Sequence, residues 1–77
     1  MEEKNNITQE YVINKINRLC EMNGYDYITL SRKSNVPLTT LLNIVKGNTK
    51  NVGVFTIVKL CNGFDITLAE FFIEWLF

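Results

Sequence analysis

Histidine is missing from this 77-residue chain, cysteine occurs twice, proline once, and each of the four glycines stands alone. Each shortage removes a class of function. Without histidine a metal centre would rest on carboxylates, and no tight Asp/Glu cluster offers one. Cys20 and Cys61 have no CxxC spacing and sit in apolar runs, so they read as reduced, buried small hydrophobes rather than as a disulfide. Ser31 and Ser34 have no base near them in sequence, and isolated glycines cannot form a phosphate-cradling loop. The expectation is therefore no enzyme, no cofactor and no metal, with no small-molecule ligand evident. No apolar run approaches the roughly 18 residues of a membrane span. The opening MEEKNN is acidic and polar, unlike a signal or transit peptide. A cytoplasmic protein without a membrane partner is expected.

One further absence is local. Between Tyr27 and Phe64 there is no Asp or Glu, while Arg32, Lys33, Lys46, Lys50 and Lys59 all lie there. The formal net charge of zero thus hides a middle of +5 between ends of −2 and −3. A polyanion feels the face it docks against, so the distribution matters more than the total.

Nearly half of the residues are apolar, and they recur at helical spacing. One domain over residues 1–77 is expected, with 1–6 a flexible tail. Thr8 fits an N-cap, with Ile7 and Val12 as a hydrophobic staple, and Val12, Ile16, Leu19 and Cys20 form a stripe that Gly24 closes. Asp26 caps a short second helix, YITLSRKS, with Leu30 inward. Pro37 opens a third that runs to Lys46 and stops at Gly47. A fourth is expected over Phe55–Asn62, with Ile57, Val58, Leu60 and Cys61 inward and Gly63 as its stop. Thr67 and Glu70 make a capping box for a fifth, with Leu68, Phe71 and Phe72 in the core and Trp75 and Leu76 continuing the repeat. The fold class is all-α, five compact helices.

The third helix has two sides. On a wheel at about 100° per residue, Leu38, Leu41, Leu42, Ile44 and Val45 fill one arc, expected to face the core. Thr39, Asn43 and Lys46 follow i, i+4, i+7 as a polar stripe on the other side. An amide, hydroxyls and an ammonium are what a major groove and its phosphates can pair with. A short helix, a three-residue break and a second helix ending in glycine is helix-turn-helix spacing, here about residues 26–47.

Those residues, LSRKSNVPLTTLLNIVKG from Leu30 to Gly47, resemble the Cro/phage-repressor (XRE-like) type of helix-turn-helix regulator. Leu30, Val36, Pro37, Thr39, Thr40, Leu41, Ile44 and Gly47 stand at the pattern's positions. TIVKLCNGFDITLAEFF resembles the family's closing segment. Ser31 replaces the usual alanine, Asn35 the turn glycine, Tyr27 a glutamine and Leu38 a polar base-reading residue. The resemblance implies a lambda-repressor-like DNA-binding domain whose third helix enters the major groove of double-stranded DNA. It places Thr39 and Asn43 at base edges and Leu38 in apolar contact, with Tyr27, Lys33, Thr40, Lys46, Asn48 and Lys50 toward phosphates.

The resemblance also implies a bacterial or phage source and a repressor-type homodimer. The apolar tail, Phe72, Trp75, Leu76 and Phe77, is the expected dimer interface, because a globule this small has little room to bury it. The alternative is a helix-turn-helix fold that serves as a protein-interaction or accessory module with weak DNA binding. Exposed Leu38 and Leu42, continuous with Val45, would favour that alternative; burial of both would leave the polar stripe as the only outward face.

Overall fold

The computed structural model describes residues 9–73. Five helices follow one another: α1 Gln9–Asn23, α2 Tyr27–Ser34, α3 Leu38–Val45, α4 Val54–Phe64 and α5 Leu68–Phe71. No strand occurs among the described residues. One core joins all five: Val12, Ile16, Leu19 and Cys20 from α1, Leu30 from α2, Leu41 and Ile44 from α3, Ile57, Leu60, Cys61 and Phe64 from α4, and Phe71 from α5. Val36, from the turn between α2 and α3, completes it.

Local chemistry accounts for the helix boundaries. The Asp26 carboxylate accepts the Thr29 amide at 2.8 Å and starts α2. Thr67 and Glu70 close a reciprocal capping box at 3.0 and 2.8 Å and start α5. Three helices end in the same paired bonds, in which the two amides past the helix reach back to its last carbonyls. At α1 these are Gly24 N–H to Glu21 and Tyr25 N–H to Cys20, and at α3 Gly47 N–H to Ile44 and Asn48 N–H to Asn43. At α4 they are Asp65 N–H to Asn62 and Ile66 N–H to Cys61.

That last closure corrects the expected end of α4. Gly63 is not its stop but an interior, buried residue, and Asp65 takes the left-handed turn at φ 59. Glycine is needed at 63 for a different reason. A Cβ there would stand 2.8 Å from Ser34 Cβ and 3.1 Å from the Ser34 backbone, so its absence lets α4 lie against the end of α2. The helix is also longer than expected, and Val58 is turned outward, 37% exposed, because Ile57, Leu60, Cys61 and Phe64 already fill the inward stripe. Leu68 is likewise exposed rather than core, since it stands at the first position of a four-residue helix whose inward residue is Phe71. The Tyr11 hydroxyl donates to the Phe71 carbonyl at 2.8 Å, and its ring stacks on Phe72, tying α5 to α1. Both cysteines are free and buried, and burial pushes each thiol pKa up. The expected Thr8 cap, the Ile7 end of the staple and the Trp75–Phe77 part of the tail lie outside the described residues.

Candidate nucleic-acid interface

The turn on the N-terminal side of α3 sets the direction in which the helix leaves α2. Asn35 turns the chain at φ 61, the left-handed region in which asparagine is the commonest substitute for glycine. Val36 then drops into the core at 2% exposure. The polar groups freed by the turn are all matched: Ser31 Oγ donates to the Val36 carbonyl at 2.6 Å, Ser34 Oγ donates to the Leu30 carbonyl at 2.7 Å, and the Val36 amide donates to Ser34 Oγ. Pro37 precedes the first turn, where a missing N–H costs nothing.

α3 buries only Leu41 and Ile44 completely. At about 100° per residue, the direction opposite those two falls between Lys46 and Thr39, with Leu42 on one flank and Asn43 on the other. Thr39, Thr40, Asn43 and Lys46 are exposed. Leu38, Leu42 and Val45 are half-buried, which corrects their assignment to the core arc and meets neither of the two extremes set out above. The helix surface is therefore amphiphilic: a leucine flank, a polar centre and an asparagine flank. Leu38 and Leu42 line an open apolar depression together with Asp26, Tyr27 and Ile28 of the α2 N-terminal end. Tyr27 thus lies beside α3, and its hydroxyl donates to Asn17 Oδ1 of α1.

Beyond α3 the chain changes character. Gly47, at φ 81, makes the left-handed turn and sends Asn48, Thr49, Lys50 and Asn51 out as a polar loop. Asn48 and Lys50 are exposed. A side chain of α1 holds this loop: Gln9 Nε2 donates to the carbonyls of Gly47 and Thr49, at 3.1 and 2.5 Å. Sequence reasoning missed Gln9 as a positioning residue, and no local signal marks a partner 38 to 40 positions away. It also missed Asn17, whose role depends on where Tyr27 falls. Lys33 stands apart from the group, with its ammonium 5.4 Å above the Tyr25 ring in the α1–α2 connection.

The charges agree with a face for an anion. Lys46 and Lys50 flank the end of α3, and the acids of α4 and α5 begin only at Asp65. Asp26, at the other end of the face, has its pKa lowered, first by the Thr29 backbone amide and then by weaker effects that include Arg32. The carboxylate therefore stays ionised while it caps α2 and leaves one negative charge at that end of the face. No helix among the described residues is long and apolar enough to cross a membrane.

Comparison with known protein families yields a match. The family described as the Cro/C1-type HTH DNA-binding domain matches residues 15–73, well over half of the chain. No curated protein and no solved structure matches it.

Proposed function

The chain belongs to the Cro/C1-type helix-turn-helix DNA-binding family, and from that premise we propose that it is a repressor-type regulator that inserts α3 into the major groove of its operator. The observation that carries this reading is the outward side of α3, where Thr39, Asn43 and Lys46 stand exposed opposite the buried Leu41 and Ile44. Asn43 has the donor and acceptor for an adenine edge, and Thr39 can serve a neighbouring base. Lys46, Asn48 and Lys50 reach phosphates, joined by Thr40, while Tyr27 and Lys33 are the more remote members of the set. In this reading the described residues act by occupying a site.

The protein acts as a homodimer in this reading, since two-fold operators pair with two-fold proteins. Phe72 and the tail beyond it remain the proposed contact. Fluorescence anisotropy on random duplex DNA between about 50 and 200 mM salt tests the reading. About three phosphates neutralised per subunit give a log–log slope of about −5 for a dimer. Absence of binding at low salt would sink the proposal.

One observation favours the second reading, a protein-interaction module. Phe55 is 80% exposed and Val54 55%, an apolar start to α4 that adjoins the polar loop. Sedimentation separates the possibilities: a dimer that Phe55→Glu dissociates would assign that surface to a second copy.

A further inference from the structure

The start of α1, the loop after α3, the start of α4 and the end of α5 meet around a partly open cavity of about 250 Å³. Its apolar floor reaches the core, since two of its lining residues, Val12 and Ile57, are buried. Val52 and Phe72, both half-buried, extend that apolar lining. The polar lining comes from one place, the contact between Gln9 and the loop it holds, where Lys50 and Asn51 join it.

This lining has a charge preference. Among the described residues no carboxylate lines the cavity, and its one charged member is Lys50, which is exposed. Gln9 has no donor to spare, because both Nε2 hydrogens are used on the Gly47 and Thr49 carbonyls. An amine would meet a like charge at Lys50, and a bare inorganic anion would lose its hydration against the valines. An amphiphile with an anionic head satisfies both parts: its chain leaves water on the apolar floor, and its head stays hydrated beside the lysine. The volume lies just below the roughly 300–1,000 Å³ of sites for drug-sized ligands, so the chain is short, about six to eight carbons.

We propose that this cavity is a binding site for a medium-chain carboxylate, and that its occupant draws Lys50 away from the DNA backbone. The site stands on the cavity itself; only the antagonism rests on the DNA reading above, in which Lys50 serves a phosphate. A carboxylate and a phosphate compete for the same ammonium. The loop that carries Lys50 is also held by Gln9, a second cavity residue, so an occupant bears on the loop's position as well as its charge.

The labelled full chain, titrated with octanoate and followed by methyl and amide chemical shifts, tests the site. Shifts should centre on Val12, Val52 and Ile57. From butanoate to hexanoate to octanoate, affinity should rise roughly two- to fourfold per methylene. Octylammonium, the same chain with the opposite charge, should bind several-fold more weakly than octanoate. Lys50→Gln, at an exposed position, should keep wild-type helicity and bind octanoate about three- to fivefold more weakly. Scattered shifts without gradation by chain length, or equal binding of octanoate and octylammonium, would overturn the site. Undiminished octanoate binding by Lys50→Gln would overturn the role of the lysine.

Anisotropy at about 50 mM salt tests the antagonism, with acetate at equal concentration as the ionic control. Saturating octanoate should lower duplex affinity several-fold for the unaltered chain and leave that of Lys50→Gln unchanged. Octanoate binding with no loss of duplex affinity would overturn the antagonism alone. A chain that binds octanoate but no duplex would remove the proposed function, and the antagonism with it, while the site stands.

Discussion

Two connections leave the ends of α3, and they are built on opposite principles. The one before α3 is three residues, 35–37, pinned to the interior by the middle one: Val36 is buried between the exposed Asn35 and Pro37, Asn35 takes the left-handed turn, and Ser31 and Ser34 satisfy the groups the turn exposes. The one after α3 is eight residues, 46–53, that are mostly exposed and held by helix-end bonds and the Gln9 side chain. The first holds a direction; the second presents polar groups to whatever lies there. In the proposed function, that asymmetry suits a helix that enters a groove at a set angle and a loop that follows an irregular backbone.

Substitutions can break the comparison from its rigid side. Gly63→Val should be the most damaging. Its Cβ meets Ser34 Cβ and backbone rather than a mobile side-chain tip, and forcing α4 away from the turn should cost about 3 kcal/mol, read as a lowered urea midpoint. Val36→Ala withdraws two methyl groups from the core and should cost about 2 kcal/mol by the same assay. Both should weaken DNA binding only in proportion to lost folding, because neither touches the reading face.

The exposed side should behave the other way. Gln9→Ala removes the donor to Gly47 and Thr49, so stability should change by about 0.5–1 kcal/mol. DNA affinity should fall several-fold through the released loop, measured by anisotropy under conditions where the variant stays folded. If instead affinity holds and stability collapses, the contrast between the two connections is wrong.

The smallest effect concerns acid. Asp26 has a folded-state pKa below its ordinary value, so the capping carboxylate contributes stability above the ordinary carboxylate range and loses it as pH falls through the folded value. Asp26→Asn caps without titrating. Urea midpoints of the two proteins should therefore run parallel at neutral pH, and only the unaltered chain should lose its share of stability below about pH 4. Parallel curves into strong acid would mean that the cap carries no charge-dependent share.

Much of this arrangement was legible in advance, and the misses share one cause. Asp26, Asn35, Pro37, Gly47 and the Thr67–Glu70 box were readable because each acts within a few residues of itself, where sequence spacing is distance. Gly63 was misread because glycine near a helix end signals a stop, whereas its reason lies across the core at Ser34. Gln9 gave no signal, since its partners are on a loop beyond two intervening helices. On the reading helix, periodicity placed Thr39, Asn43 and Lys46 on the outward side but counted Leu38 and Leu42 as core. A wheel ranks residues by angle, and only the neighbouring helices decide how wide an arc they cover. Here α2 leaves the leucine flank half open.

Amide chemical-shift mapping of the labelled protein, titrated with duplex DNA at about 50 mM salt, tests the central claim most directly. The account predicts shifts concentrated on residues 38–51 and at the start of α2, with little change across Val54–Val58. Shifts centred on Phe55 and its neighbours, with α3 silent, would contradict it.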